Sequence, residues 1–438
     1  MDDVLTTARG LLAARHYKHA LRLLASSGLS GVEHDRLTGA AELGRRDHAA
    51  ALRHLRRALA QAPEDLETLF HLGHATLAAG DRLHAVRLFE RVAAASPGFP
   101  GLREALAGAY RRDALYHEAL RVTDEALAAG NRGADILYER ALSLAHLGDA
   151  AGALATHDER LADDPEHAAA WFGSHAAALD LHGTDDALRR LRRAAECPGA
   201  AGKYWGFLCA YLRLLGRDSE ADALFDAKVA GHSKRLPLVE AVATLRPHMA
   251  ASARLFGVGA NLLRHALDLA TLSGLVLEFG VRRGTSINQI AEAVPDDTVH
   301  GFDSFEGLPE AWVNEPQGVL STGKQLPPVP SNVVLHAGWF EDTLPHFLAA
   351  HGGPVRFVNV DSDIYSSAKT VLTALAPRFR VGTVLVFDEF IGNRTWRDDE
   401  YKAFHEYAKE HRASFEVVAV NLFTKQVAIR LTGIGKAG

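Results

Sequence analysis

Cysteine is nearly absent from this 438-residue chain, in which only Cys197 and Cys209 occur. Two thiols are too few for a disulfide framework or a cysteine zinc site, and a reducing compartment suits both as free thiols. Long apolar runs are also missing, with none near the roughly 20 residues a membrane span requires. The opening stretch MDDVLTTARG carries acids where a secretory leader carries bases ahead of an apolar core. Both features predict a cytoplasmic protein with no membrane association. Neither charge dominates: 48 basic and 54 acidic side chains leave a net charge of −6, with 23% charged and 47% apolar residues. This is the balance of an ordinary soluble protein and gives no support to nucleic-acid binding. The length accommodates two or three domains.

What is present first is a period. Alanines stand at 51, 85, 119, 153, 187 and 221, each 34 residues after the last, and Pro63, Pro97 and Pro165 fall at multiples of the same interval. Gly80, Gly148 and Gly216 punctuate the runs as turns. Two antiparallel helices cannot bury an apolar face alone, so such a period implies stacked helical hairpins, with a small residue where helices approach. The run LETLFHLGHATLAAGDRLHAVRLFERVAAASP, 66–97, resembles the tetratricopeptide consensus through Leu72, Gly73, Ala85, Phe89 and Pro97, and Trp171 and Trp205 fall on its aromatic position. Residues 1–232 are therefore expected to form about six hairpins, the first irregular because Gly44 lies out of phase with Ala51. The resemblance implies a groove for a protein or peptide partner, or a surface for homo-oligomerisation.

The rhythm changes near residue 275. LVLEFG, TVHGFD, NVVLHAG, VRFVNVD and TVLVFDE alternate with helical stretches, and SFEVVAV and QVAIRL are separated by NLFTK alone. Alternation predicts a mostly parallel sheet covered on both faces, and the short last connection predicts a final antiparallel strand. Seven strands in this pattern resemble the class I S-adenosylmethionine-dependent methyltransferase fold, a Rossmann-like α/β sheet over 274–438, with 233–273 read as a helical lead-in. Chemistry is expected beyond the carboxyl ends of the strands. The first ends in LEFGVRRGTS, where Glu278, Gly280 and Gly284 form an E-x-G-x-x-x-G turn, and the second in Asp303 and Ser304, with Asp303 nineteen residues after Gly284. The dinucleotide pattern G-x-G-x-x-G is not met, because Val281 and Arg282 follow Gly280, so a pyrophosphate cradle is not expected. By resemblance, Glu278 lies near the methionine end of the cofactor, Gly280 and Gly284 line it, and Asp303 and Ser304 hold the ribose side.

Four acids follow strands four and five: Asp361 and Asp363, then Asp388 and Glu389. Both strands are expected beside the first. Buried carboxylates without partners cost several kcal/mol each, so a compensating positive charge is required, and an all-oxygen donor set suits a hard cation such as Mg²⁺. FDSFEGLPEAW, GWFEDTLP, VDSDIYSS and the DE pair of VLVFDEF, in this order, resemble the macrocin O-methyltransferase family over about residues 250–431. That family methylates sugar hydroxyls of natural products with a divalent metal. The resemblance implies Asp361, Asp388 and Glu389 as metal ligands and Asp363 as catalytic base. Glu389 is a departure, since the family often has a second aspartate there.

The resulting expectation is an S-adenosylmethionine- and Mg²⁺-dependent (or other divalent-cation-dependent) O-methyltransferase of a small sugar-containing or polyhydroxylated metabolite, fused to a tetratricopeptide solenoid. Two alternatives stand beside it: a scaffold whose methyltransferase domain binds cofactor without turning over, and an N-methyltransferase of an amine or peptide. The loop 310–330 reads as a lid, with Trp312, Lys324 and Arg394–Trp396 near the acceptor. His336 is expected to be packed and His405 exposed.

Overall fold

A computed structural model describes residues 2–313 and 315–435. Fourteen helices between Asp2 and Leu224 pair into hairpins. The six periodic alanines each occupy the fourth position of the second helix of a hairpin, beginning at His48, Arg82, Tyr116, Ala150, Thr184 and Asp218. All six are buried. Three of these helices start on an aspartate, Asp47, Asp81 or Asp149, which accepts the backbone N–H three residues on at 2.8–3.1 Å, the capping chemistry that satisfies an otherwise orphan donor. Close packing demands glycine opposite: a Cβ on Gly73 would lie 2.7 Å from the Phe89 ring. The hairpins are therefore set by small residues, caps and proline stops recurring at one interval.

The chain divides into two compact units. One comprises residues up to Glu139 with Gly307–Ala311 and Glu315–Gly323; the other comprises Arg140–Glu306, Trp312 and Lys324 onward. In the first, acids at graded depths meet arginines, Asp35 buried, Asp65 half-buried and Glu67 exposed. Asp35 accepts from Arg57 at 2.6 and 2.9 Å, and Arg36 bridges Asp65 and Glu67 at 3.0 and 2.9 Å. The loop 307–323 is internally bonded, Leu308 N–H to Val319 O and Gly318 N–H to Leu308 O, both at 2.9 Å, and its Glu315 pairs with Arg82 at 3.3 Å.

The second unit is built on one eight-stranded sheet. Its strands are β1 Met249–Leu255, β2 Leu275–Phe279, β3 Val299–Asp303, β4 Val333–Ala337, β5 Val355–Val360, β6 Val384–Phe387, β7 Ser414–Asn421 and β8 Gln426–Gly433. The spatial order is β1-β7-β8-β6-β5-β2-β3-β4, with β8 antiparallel to both neighbours and every other pairing parallel. The expected fold class is the observed one, with one addition. MAASARL, 249–255, falls in the stretch read as a helical lead-in but forms an edge strand alongside β7. Its alanines favour helix locally; pairing with an open sheet edge overrides that preference.

The later helical repeats pack into this unit. Asp180 accepts from Gly257 N–H at 2.7 Å, Val258 N–H at 3.1 Å and Asn261 Nδ2 at 2.7 Å, and a Cβ on Gly257 would overlap the Ala176 carbonyl. Phe172 and His175 contact Phe423 with ring centroids 5.5 and 5.6 Å apart. The 34-residue period and the grouping by packing are thus separate properties of the chain, and the period runs on past residue 139. Among the described residues no helix is long and apolar enough to cross a membrane.

Candidate active site

The sheet reverses its winding beside β2, which pairs with β3 on one side and β5 on the other. At such a switch point the loops diverge and leave a crevice. Gly280, directly after β2, adopts φ +99° and donates its N–H to Phe302 O at 2.9 Å. A Cβ there would overlap the carbonyl oxygen of Asp361. Glycine is obligatory at this position on both counts. Gly284, φ +85°, begins the helix Thr285–Ala293 and abuts Pro327.

Glu278 lies on β2, fully buried. Its Oε1 accepts from Asn359 Nδ2 of β5 at 2.8 Å, while Oε2 is buried without a hydrogen-bond partner. Burial pushes this carboxyl up to about 7; Ser286 and Asn359 oppose the shift, and the charges of Asp388 and Asp303 add to it. Asp303 ties the turn together, its Oδ2 accepting Arg282 N–H at 2.7 Å and its Oδ1 accepting Phe305 N–H at 2.6 Å. Burial raises its pKa against those bonds. Ser304 Oγ accepts Glu306 N–H at 3.1 Å, closing the next turn. An orphan buried carboxylate oxygen, two left-handed glycines and an acid at the end of the neighbouring strand form a cradle that fits S-adenosylmethionine, with Glu278, Gly280, Gly284, Asp303 and Ser304 as the residues that would hold it.

The four acids lie on adjacent strand ends. Asp361 N–H donates to Phe279 O at 2.8 Å, and Asp388 N–H to Val360 O at 3.1 Å, so each acid continues the ladder by one step. Of these two strands only β5 borders β2; β6 lies one strand further out, not beside the first strand as expected. Burial and then the charges of Asp388, Asp363, Glu278 and Glu400 hold Asp361 well above the usual carboxylate range. Asp363 rises to about 7 through burial, Glu389 and Asp388, and Asp388 to about 7 through burial and Glu389. Asp363 does not cap the helix Tyr365–Leu375, whose N-cap is Ile364 with no side-chain cap bond. Its backbone instead takes the left-handed φ of +62°.

Three residues that the sequence did not single out hold these acids. Glu400, fully buried at the start of the helix Glu400–Glu410, accepts Ser362 N–H at 3.1 Å and Asp363 N–H at 3.2 Å through Oε1, clasping the turn between the first two acids. Lys425 Nζ donates to Glu389 Oε2 at 2.7 Å, and Gln426 Nε2 to Asp388 Oδ1 at 2.6 Å. Lys425 immediately precedes β8 and Gln426 begins it, and a signal for them existed: an antiparallel strand beside β6 brings its first residues to the end of β6, as the pairing of Val427 with Phe387 does.

A divalent cation fits part of this set. Asp361 and Asp388 offer sheltered oxygen donors that repel one another, but Glu389 is engaged by Lys425, and among the described residues no group of three or more His, Cys, Asp or Glu is arranged to hold a metal ion.

The remaining expectations divide. Trp312 Nε1 donates to Asp399 Oδ2 at 3.2 Å, next to Glu400. Trp396 is fully buried against Tyr401 and belongs to the core, not to an acceptor surface, and Lys324 pairs with Glu306 in the open at 3.1 Å. His336 is packed, stacked on Phe302 at 4.5 Å. His405 is half-buried and stacked on Tyr401 at 3.9 Å, contrary to the exposed position expected, because the stacking covers one face of its ring.

Residues 277–390 match a family described as a methyltransferase domain. Among curated proteins, the chain is 28% identical over 163 residues to demethyldecarbamoylnovobiocin O-methyltransferase of Streptomyces niveus, covering 31% of this chain and 61% of that one. It is 27% identical over 190 residues to mycinamicin III 3''-O-methyltransferase of Micromonospora griseorubida, covering 37% and 72%. Among solved structures, a thermophilic tetratricopeptide protein of Thermus thermophilus aligns at 23% identity and a TM-score of 0.36, over 42% of this chain and all of that one. The chain spans under two thirds of the first relative's length, as the 61% shows. The glycine turn, the acid ending β3 and the acids following β5 and β6 thus all lie within the stretch that matches the methyltransferase-domain family, on the same chain as an N-terminal array of helical hairpins.

Proposed function

We propose that this protein transfers a methyl group from S-adenosylmethionine to a hydroxyl of a small sugar-containing or polyhydroxylated metabolite. The observation that supports this reading is the approach of Gly280 to Asp361, which sets the acidic strand ends beside the glycine turn. The names of the two relatives support an oxygen nucleophile on natural-product acceptors.

When bound, S-adenosylmethionine supplies an electrophilic sulfonium methyl. The chain supplies the base and the alignment. A hydroxyl is a weak nucleophile until its proton is weakened, and a carboxylate poised near the working pH removes it most effectively. Asp363, raised to about 7, meets that requirement. Its backbone N–H is bound by Glu400, which fixes the turn from which the carboxylate projects before the acceptor arrives. A divalent cation, Mg²⁺ in the simplest case, would be held by Asp361 and Asp388 and would add Lewis acidity toward neighbouring hydroxyls.

On this reading residues 1–232 serve as a docking or self-association platform, with 233–273 leading into a catalytic domain at 274–438. The test is incubation with S-adenosylmethionine carrying a labelled methyl group and a panel of glycosylated acceptors, with and without chelator. Label on an acceptor oxygen, lost in Asp363→Asn, is the expected result. Cofactor binding by calorimetry with no transfer to any acceptor would favour the scaffold alternative, and label on nitrogen that survives chelator would favour an N-methyltransferase.

A further inference from the structure

The acidic pocket contains a cation of its own. Lys425 sits at φ +65° at the tip of the β7–β8 hairpin, a conformation costly for a side-chain-bearing residue, and its Nζ lies 2.7 Å from Glu389 Oε2. The hairpin is fixed from within: Asn421 Oδ1 accepts the N–H groups of Phe423 and Thr424 at 2.9 and 3.0 Å, and Thr424 Oγ1 donates to Gln426 Oε1 at 2.9 Å. Gln426 binds Asp388 from the same segment, so consecutive residues grip consecutive acids. The pair is sheltered, with side-chain exposures of 31% for Lys425 and 18% for Glu389. Other charges feel Lys425 as well. Asp363 and Asp388 are both relieved by it, and it opposes protonation of Lys203.

We propose that Lys425 is the resident counter-cation of the acidic pair, keeping Glu389 out of the coordination of any divalent ion and lowering the pocket's affinity for one. The proposal rests on the reading of these acids as a metal pocket, but its test requires no methyl transfer. An ammonium beside a divalent ion repels it, and in a sheltered site that repulsion is only partly screened. The lysine also occupies the one carboxylate of the four that departs from the expected aspartate. Its removal therefore both relieves repulsion and frees a longer-armed ligand.

Mn²⁺ is the probe, titrated by calorimetry and by the loss of free-ion paramagnetic resonance signal, on the full chain. The variants are Lys425→Met, Lys425→Gln as a more polar replacement, and Lys425→Met with Glu389→Gln. S-adenosylhomocysteine affinity and the unfolding midpoint serve as fold controls. We expect Lys425→Met or Lys425→Gln to bind Mn²⁺ about tenfold more tightly than the parent, and the added Glu389→Gln to abolish that gain. Binding seen only after lysine is removed would support the proposal equally. Unchanged or weaker binding in a variant that passes the fold controls, or no binding in any of the proteins, would overturn it. If transfer persists in chelator while the lysine variants still gain affinity, the metal requirement of the proposed reaction fails and the role of Lys425 stands.

Discussion

Sheltered acids are handled in opposite ways by the helical unit and by the strand ends. Asp35, nearly inaccessible, is held below its ordinary pKa: burial alone would raise it, but Arg57 and His54 outweigh that cost. Asp361, Asp363 and Asp388 are driven upward instead, by burial first and then by the charges of neighbouring acids, which Arg282, Lys425 and Gln426 offset only in part. The first arrangement serves stability. The second leaves an electrostatic deficit that folding alone does not relieve, as expected where proton or cation chemistry is performed.

The largest effect expected at the strand ends is on catalysis. Asp363→Asn should lower kcat about 10²–10⁴-fold, the usual worth of a general base, with S-adenosylhomocysteine affinity retained by calorimetry. If kcat is unchanged, the unpaired acids are not catalytic and the contrast with Asp35 loses its meaning. Next is Gly280→Ala, which forces a side chain against the Asp361 carbonyl at φ +99°. Strain of about 1–3 kcal/mol at such a position should weaken S-adenosylhomocysteine binding by about tenfold or more.

In the helical unit, Arg57→Ala should cost about 1.5–3 kcal/mol, the worth of hydrogen bonds to a charged group, read as a shift in urea midpoint with kcat unaltered. The smallest effect per pH unit is on pH dependence, and its sign separates the two regions. Asp35, lowered on folding, contributes stability that is present above its unfolded pKa near 3.9 and is lost as pH falls through the folded value. Glu278, Asp363 and Asp388, raised to about 7, contribute stability that is complete below their unfolded values near 4 and is lost as pH rises through 7. The stability of the ligand-free protein should therefore fall between pH 5 and pH 7, by up to about 1.4 kcal/mol per pH unit for each such group, read as a falling melting temperature, and Asp388→Asn should flatten the slope.

Much of this molecule was legible because its signals are local. A 34-residue interval of alanine, capping aspartate and proline needs only the chain's own neighbours to be read, and the strands after 275 announce themselves by β-branched runs. The glycine turn and the four acids were legible too, since each lies immediately after such a run. Glu400, Lys425 and Gln426 were not: each reaches a group at least 36 residues away along the chain. Nor was the strand Met249–Leu255, whose alanines say helix until an open edge is offered.

The sequence by itself determined the repeat, the order of strands and helices after residue 275 and the positions of the acids, because helix caps, turn glycines and apolar periodicity act over a few residues. Tertiary structure alone decided which acid meets which partner. Hydrogen bonds between distant segments depend on strand register and crossing, and the antiparallel return of β8 beside β6 is what delivers a lysine to Glu389 and an amide to Asp388.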